Sequence, residues 1–223
     1  MERSPDKTRL YEAFAASGKA LSNASRLELL DLLAQGERTV DALAKGAGLN
    51  VTTASAHLQT LKAAGFVATR RDGVRIFYRL AGEDVAQLFA LFRKVAERHQ
   101  AEVPAARDAY LLAGGHPVDA LDRAELAARS ASGAVVVLDV RPREEHAAGH
   151  IPGSLSIPID ELADRIDELP TDREVVVYCR GEYCSFAYDA VRLLSSAGRR
   201  AIRLSDGMLE WRLADQPVAF GGQ

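Results

Sequence analysis

The residues best suited to chemistry are the chain's two cysteines, Cys179 and Cys184, which stand five positions apart in the segment VVVYCRGEYCSFAYDAV. A run of valines ends at the first cysteine, and a helix-like pattern begins after the second. In a reducing compartment, a lone pair of cysteines more often serves redox or catalytic chemistry than a structural disulfide. Thiol chemistry at this turn is therefore the first functional hypothesis.

The loop CRGEYC has the features of an anion site. A short loop that runs from a strand end into a helix starting near Ser185 can point successive backbone N–H groups at the first sulfur. Such a nest, together with the helix N-terminus, favours negative charge. We therefore expect a lowered pKa for Cys179, with Arg180 adding positive charge beside it. The alternative is a buried and inert cysteine at a strand end.

The elements around this loop predict an α/β domain. Three apolar, β-rich runs, AVVVLDV (134–140), EVVVYC (174–179) and RAIRL (200–204), are separated by helical segments such as DELADRIDEL and FAYDAVRLLSSAG. Valine runs that alternate with helices indicate a buried parallel sheet. Ligands of such sheets collect beyond the carboxyl ends of the strands, which is where Cys179 is predicted to lie.

Three segments, VLDVRPREEHAAGHIPGSLSIP, VVVYCRGEYCS and LSDGMLEWRLADQPV, resemble the rhodanese fold over about residues 118–220. In that family the loop cysteine takes a sulfur atom from a sulfane-sulfur donor such as thiosulfate, carries it as a persulfide and passes it to a nucleophile. The resemblance implies that Cys179 is the persulfide carrier and that Arg180 and the loop amides stabilise its anion. The other implied positions are the loop residues Gly181, Glu182, Tyr183 and Ser185 and the site framework Asp139, Arg141 and His150.

The resemblance to rhodanese fails at the last loop position. Many active rhodaneses have arginine there, whereas this chain has Cys184. Loss of that cation should weaken capture of a dianion such as thiosulfate, while the new thiol can accept sulfur from Cys179 and form a disulfide, trisulfide or tetrasulfide bridge. Phosphatase and arsenate-reductase loops are one residue longer and end in an arginine where Ser185 stands, so phosphate or arsenate chemistry is disfavoured.

The N-terminal half predicts a winged helix. The segments SPDKTRLYEAFAASGKAL, with Leu10 and Phe14 on its apolar stripe, and SNASRLELLDLLAQG are both predicted as core helices. Two further helices, TVDALAKGAG and NVTTASAHLQTLKAAG, are joined by a short turn, as in a helix-turn-helix. The segment FVATRRDGVRIFYRL then alternates around Asp72-Gly73, a strong hairpin signal.

Polar side chains on the second of those helices and on the hairpin are candidate DNA contacts. Short polar groups can reach phosphates and base edges when a helix lies in the major groove, and cations at a hairpin tip can bind the backbone or the minor groove. Leu58 and Leu61 should instead face the core. The candidate contacts are Asn50, which is also a plausible helix cap, Thr52, Thr53, Ser55, His57, Gln59, Arg70, Arg71 and Arg75.

Residues 8–100, and most specifically LNVTTASAHLQTLKAAGFV followed by the arginine-rich hairpin, resemble ArsR/SmtB-type repressors. The resemblance implies a homodimer that binds double-stranded operator DNA and pairs through its first and last helices, the last being DVAQLFALFRKVAERHQAEV. The region contains no cysteine, and Asp84, His99 and Glu102 lack a convincing metal-ligand spacing. We therefore predict no metal and no cofactor, and place the sensor in the other half.

Length and charge fit two domains. Residues 1–100 carry 15 Lys and Arg against 11 Asp and Glu, while residues 101–223 carry 13 against 20. We predict a winged-helix and dimerisation domain at 1–100, a helix extension and linker at 101–117, and a rhodanese-like domain at 118–223. The apolar runs are too short to span a bilayer, and the N-terminus lacks a signal-peptide pattern, which predicts a cytoplasmic protein without membrane contact.

The favoured hypothesis is a homodimeric repressor that senses reactive sulfur through Cys179 and Cys184, with polysulfide, thiosulfate or a low-molecular-weight persulfide as the donor. One alternative is a sulfurtransferase, of weak activity, whose winged helix serves autoregulation. Another is a peroxide sensor that forms a simple disulfide. The second thiol inside the loop favours sensing, because it competes with sulfur transfer to an outside acceptor.

Overall fold

The structure is a computed structural model that describes residues 4–113 and 115–221. The chain divides into two compact units, Met1–Phe89 and Ala90–Gln223. The predicted linker at 101–117 includes Gly114, which lies outside the described residues, and the domain boundaries near residues 100 and 117 stay predictions. In the described part of the chain, no helix is both long and apolar enough to cross a membrane.

The first unit is the predicted winged helix. Thr39 caps one helix by accepting a hydrogen bond from the Ala42 amide, and Asn50 caps the next by accepting one from the Thr53 amide at 2.8 Å. These caps fix the N-terminal ends of the two helices, and Asn50 also ends the turn that joins them. The elements are α1 (Pro5–Leu21), α2 (Ala24–Leu33), β1 (Arg38–Thr39), α3 (Val40–Gly46), α4 (Val51–Ala63), β2 (Val67–Asp72) and β3 (Arg75–Leu80), with antiparallel sheet order β1-β3-β2.

The hairpin turn between β2 and β3 lies where the Asp-Gly pair predicts it. Asp72 pairs with Arg75, so Gly73 and Val74 are the two central residues. Gly73 has a φ of +58°, which glycine adopts without steric cost at the first central position of a hairpin turn. The arginines that flank this turn therefore stand at the end of the wing.

The core of the first unit contains α2 and the inner face of α4, and Leu58 and Leu61 are buried as predicted. The predicted burial of α1 is wrong. Leu10 is 52% exposed and Phe14 is 63% exposed, because the apolar stripe of α1 faces away from this core. Periodicity identified the helix and its apolar face, but it did not show what covers that face.

The last helix of the winged-helix pattern, α5 (Glu83–His99), begins in the first unit and continues into the second. The prediction extended it to Val103, whereas the structure ends it at His99 and starts a separate helix, α6 (Glu102–Leu111). The helix extension is therefore a second helix, and α5 contributes residues 90–99 to the unit that holds the cysteines.

The second unit is built on the predicted parallel sheet. Its strand order is β4-β8-β7-β5-β6, and each neighbouring pair is parallel. The three apolar runs form β5, β7 and β8, whereas β4 and β6 are two-residue strands that the sequence pattern did not indicate. The elements are β4 (Ala120–Leu121), α7 (Arg123–Ala131), β5 (Val135–Asp139), α8 (Arg143–Ala147), β6 (Leu155–Ser156), β7 (Glu174–Tyr178), α9 (Phe186–Ser196), β8 (Ala201–Leu204) and α10 (Met208–Leu213).

The segment DELADRIDEL is not the helix that was predicted. It forms consecutive turns and one 3-10 helix, Ile166–Glu168, with i to i+3 bonds such as the Arg165 amide to the Leu162 carbonyl. Leu162 and Leu169 are both buried in the core beneath β5 and β7. Packing of these two leucines overrides the local preference for α-helix.

Candidate functional site

The thiol site is a short loop between β7 and α9. Cys179 follows directly on β7, and α9 begins at Phe186. The Cys184 amide donates to the Gly181 carbonyl at 3.1 Å, which closes a tight turn and brings the second cysteine back to the first. Both cysteines are free, and the Cys179 Sγ lies 3.5 Å from the Cys184 carbonyl oxygen. The structure therefore brings together the two residues on which the sequence hypothesis rests.

The two thiols differ in accessibility. Cys179 is 2% exposed and packs with the core beneath β7, and its Sγ donates to the Cys184 carbonyl at 3.5 Å. Cys184 is half-buried and only flanks this core. Cys184 is therefore the more exposed residue of the pair.

The thiols also differ in acidity, and here the prediction is wrong. Burial raises the pKa of Cys179 well above its ordinary value, and the hydrogen bond with Cys184 acts in the same direction. Backbone amides of Ala187 and Gly181 oppose this effect, as the nest argument requires, but burial outweighs them. For Cys184, the hydrogen bond from Cys179 lowers the pKa, and the Arg180 charge adds to it. In the reduced pair, Cys184 is the more acidic thiol.

Arg180 is anchored by Glu145. Its guanidinium forms a bidentate pair with the fully buried carboxylate of Glu145, at 3.0 and 2.7 Å, and lies 5.1 Å from the centre of the Phe186 ring. Its backbone amide donates to the Cys184 sulfur, and its charge lowers the Cys184 pKa. Arg180 thus stabilises negative charge on the second cysteine.

The N-terminus of α10 holds the loop through backbone hydrogen bonds. The amides of Met208 and Leu209 donate to the carbonyls of Cys179 and Arg180, both at 3.0 Å. The backbone of Gly207 lies so close that an added Cβ would stand 2.2 Å from the Gly181 amide nitrogen. Only glycine permits this approach, which explains the glycine at position 207 in the segment DGMLEW. The first half of the loop is therefore held rigidly against α10.

Asp139, at the end of β5, is the centre of the predicted framework. It is fully buried and accepts hydrogen bonds from Arg141 at 2.6 Å and from the Tyr178 hydroxyl at 2.7 Å, and its Oδ2 lies 3.1 Å from His146 Nδ1. Burial alone would raise the pKa of Asp139, but these bonds and the Arg141 charge lower it to about 2. Arg141 also donates to the Gly149 carbonyl. This cluster fastens the ends of β5 and β7 together.

His150 lies beside this cluster and contacts it through His146. Its ring stacks on His146 at 3.7 Å, and its Nδ1 lies 2.9 Å from the His146 carbonyl oxygen. His146, rather than His150, contacts Asp139. Sequence reasoning missed His146, Tyr178 and Glu145; only Tyr178 had a signal, because side chains alternate along a strand and the residue before Cys179 must face the opposite side of the sheet.

The remaining loop positions are half-buried. The Tyr183 hydroxyl donates to Glu97 of α5, Glu182 precedes it, and Ser185 stands at the start of α9 without a side-chain cap bond. Within residues 4–113 and 115–221, no group of three or more His, Cys, Asp or Glu side chains is arranged to hold a metal ion.

The DNA-contact candidates on α4 are half-buried or exposed, whereas Ala54, Leu58 and Leu61 are buried. Two of them have bonds within the chain: the Asn50 side chain caps α4, and the Gln59 amide donates to the Tyr78 hydroxyl at 3.0 Å. The other positions on this face are Thr52, Thr53, Ser55 and His57.

The three wing arginines are not equivalent. Arg70 is paired with Glu37 and Asp72 and lies over the Phe77 ring at 4.8 Å. The Arg71 Nε donates to the Gly73 carbonyl at the turn, and Arg75 is the first residue after that turn. Arg71 and Arg75 therefore occupy the wing tip, whereas Arg70 is held by neighbouring side chains.

Known proteins resemble each half of the chain. Residues 23–69 match the bacterial regulatory proteins of the arsR family, and residues 122–214 match the rhodanese-like domain. The HTH-type transcriptional regulator Rv0324 of Mycobacterium tuberculosis is 56% identical over 219 residues, 98% of this chain and 96% of that protein. A sulfurtransferase of Allochromatium vinosum is 33% identical over 84 residues, 38% of this chain and 78% of that protein.

Among solved structures, the homodimeric winged helix-turn-helix DNA-binding domain of a Mycobacterium bovis protein is 54% identical. The match covers 46% of this chain and 94% of that one, with a TM-score of 0.42. The nearly full-length match to the M. tuberculosis regulator is the decisive finding, since it spans both halves. This chain belongs to the ArsR family of helix-turn-helix transcriptional regulators and carries a rhodanese-like domain in its C-terminal half.

Proposed function

We propose that this regulator binds operator DNA as a homodimer and senses reactive sulfur species through Cys179 and Cys184. The observation that carries the proposal is the pair of free cysteines within one tight turn of the rhodanese-like domain, where the Cys179 Sγ lies 3.5 Å from the Cys184 carbonyl oxygen. Two thiols in this position can trap a transferred sulfur as an internal bridge, which a single loop cysteine cannot do.

The chemistry needs only a sulfane-sulfur donor, written RS–SH. Cys184 is the more acidic thiol and ionises first, releasing its proton to water, and the Cys184 thiolate then serves as the base that accepts the Cys179 proton. The Cys179 thiolate then attacks the outer sulfur, the donor S–S bond breaks, and RS⁻ leaves. With this donor, Cys184 next attacks the Cys179 sulfur, forming a disulfide that retains no added sulfur and releasing hydrogen sulfide with the thiol proton. A polysulfide donor, RS–S–SH, instead leaves two sulfur atoms on Cys179. Cys184 then attacks the first of them, forming a trisulfide that retains one sulfur, and the terminal sulfur leaves with the thiol proton as hydrogen sulfide. The donor sulfur is reduced as the thiols are oxidised.

The proposed dimer is supported by two exposed apolar faces. Large apolar side chains stand exposed on α1 and on α5, which are the helices that pair in ArsR-type repressors. Exposed apolar side chains that line one face of a helix mark an interaction surface. The exposed apolar side chains on α1 and α5 are Leu10, Tyr11, Phe14, Leu88, Leu91, Phe92 and Val95. A second copy of this chain would bury them.

The second candidate function is a sulfurtransferase, favoured by the rhodanese-like match and the related A. vinosum sulfurtransferase. Such an enzyme passes the persulfide sulfur to an outside acceptor. Here Cys184 lies in the same tight turn, with its carbonyl oxygen 3.5 Å from the Cys179 Sγ, and its thiol competes with any such acceptor. A peroxide sensor would use the same two thiols but would add no sulfur to the protein.

Intact mass separates these three functions. After polysulfide treatment of the reduced full-length protein, we expect the loss of two hydrogens together with the gain of one or more whole sulfur atoms. A peroxide sensor loses two hydrogens and gains no sulfur, and a sulfurtransferase accumulates a persulfide that gains sulfur without losing hydrogen. In the Cys184→Ser variant we expect a Cys179 persulfide that no longer closes a bridge. Bridge-free persulfide as the only product in wild type would contradict the proposal.

The wing and α4 make a testable DNA interface. Arg71→Ala should weaken binding to all DNA sequences and lower the salt slope by about one, because Arg71 stands at the wing tip. Thr53→Ala and His57→Ala should chiefly reduce operator selectivity. Arg70→Ala is the matched control, since Glu37 and Asp72 already hold that guanidinium. Unchanged affinity and selectivity in the Arg71, Thr53 and His57 variants would overturn this interface.

A further inference from the structure

Helix α5 contacts the thiol loop directly, within the second unit. The Tyr183 hydroxyl, one residue before Cys184, donates to Glu97 Oε2 at 2.5 Å. The guanidinium of Arg93 lies over the Tyr183 ring, 4.9 Å from its centre. Arg93 and Glu97 are four residues apart and so share one face of the helix. This face holds the second half of the loop.

Arg93 also reaches the first half of the loop through Glu210. Arg93 Nη2 donates to Glu210 Oε1 at 3.0 Å, while Glu210 Oε2 accepts from the Gly207 amide. The same carboxylate lies against Gly181, where an added Cβ would stand 3.0 Å from Oε2. Both partners of this ion pair are largely buried, with side chains 16% and 11% exposed. The pair is therefore poorly screened by solvent, unlike an ion pair on the surface.

The opposite face of α5 carries the apolar side chains assigned to the dimer. At roughly 100° per residue, Leu91, Phe92 and Val95 point about 100° to 160° away from Arg93 and Glu97 around the helix. All three are exposed in the single chain. One helix thus carries the loop contacts on one side and the proposed dimer surface on the other.

We propose that the Tyr183–Glu97 and Arg93–Glu210 contacts report the state of the thiols to α5. This inference rests on the proposed function, because it supplies the regulation of that same site. Forming a bridge fixes the separation of the two sulfur atoms, at about 2 Å in a disulfide and at a longer distance when sulfur atoms are inserted. Cys184 moves in either case, and Tyr183 moves with it. A shift of the hydroxyl beyond about 3.5 Å ends the bond to Glu97.

Glu97 is thus a positioning residue. Its removal should leave formation of the sulfur bridge intact but abolish the change in operator affinity that follows it. In full-length Glu97→Ala we expect polysulfide to form the same bridge by intact mass, while the ratio of operator affinities between reduced and treated protein falls to below about 2. The probe is a labelled duplex enriched from random DNA by the reduced wild-type protein. Glu97→Gln, which keeps an oxygen to accept from Tyr183, should retain most of the wild-type response.

The control is Glu83→Ala, the same change at an exposed position of the same helix. A double-mutant cycle adds a second test: Tyr183→Phe should reduce the response, and combining it with Glu97→Ala should reduce it no further, because both remove the Tyr183–Glu97 bond. Glu97→Ala also removes an ion pair with Arg107, so Arg107→Ala, which leaves the Tyr183–Glu97 bond in place, should keep the wild-type response. A wild-type response in Glu97→Ala and in Tyr183→Phe, with bridges formed, would overturn this inference and leave the proposed function standing. Absence of any bridge in wild type would overturn both.

Discussion

Replacing Asp139 with asparagine should lower the free energy of unfolding of the rhodanese-like unit by about 3–5 kcal/mol. Asp139 is the buried carboxylate that neutralises Arg141, and both side chains are 0% exposed. The asparagine keeps the shape and one acceptor oxygen, but it leaves the Arg141 charge uncompensated in the interior. Tyr178 and His146 also lose the charged acceptor that they share. Denaturant unfolding followed by circular dichroism measures the loss.

The loss of stability caused by Asp139→Asn should become smaller as the pH falls. The folded-state pKa of Asp139 is lowered from 3.8 to about 2, so its contribution is fully present above pH 3.8 and is lost as the pH falls through about 2. The difference in stability between wild type and Asp139→Asn should therefore shrink over this window. Asp167→Asn is the matched control, because that carboxylate is exposed and pairs with Arg199 at the surface. A difference below about 1 kcal/mol, no larger than that control, would contradict the framework role.

Local signals predicted the parts of the fold that depend on short segments. The valine runs of β5 and β7 required a sheet buried on both faces, and the Asp72-Gly73 pair required a hairpin turn. Asn50 caps α4 because its side-chain oxygen reaches an amide three residues on, an interaction that is complete within one turn. Each of these features depends on residues that are neighbours in the sequence, so the local sequence alone is enough to predict it.

The missed features depend on residues far apart in sequence. Arg180 was expected beside Cys179, but Glu145, 35 positions earlier, binds its guanidinium. Tyr183 was a loop residue without a role until the structure placed Glu97, 86 positions earlier, against its hydroxyl. The raised pKa of Cys179 also depends on residues far away in the sequence. The loop amides were predictable from the turn, whereas the burial that outweighs them comes from packing of the whole sheet.

Polysulfide should change the operator affinity of the wild-type protein by roughly 5- to 150-fold, the range that corresponds to a coupling free energy of about 1–3 kcal/mol. The Cys179→Ser variant should bind the operator like the reduced wild type and should not respond, because it lacks the first sulfur acceptor. The Cys184→Ser variant should form a persulfide without a bridge, so its response should be lost or short-lived. Dithiothreitol should restore the reduced affinity of the wild type by cleaving the bridge.

The most direct measurement is fluorescence anisotropy of a labelled duplex, enriched from random DNA by the reduced protein and titrated with reduced, polysulfide-treated and dithiothreitol-restored full-length protein. The account predicts two distinct affinities for the wild type, interconverted by polysulfide and dithiothreitol, and a single affinity for Cys179→Ser under all conditions. Identical wild-type affinities in the reduced and treated states, together with steady turnover of polysulfide or thiosulfate, would contradict the sensor and establish the sulfurtransferase in its place.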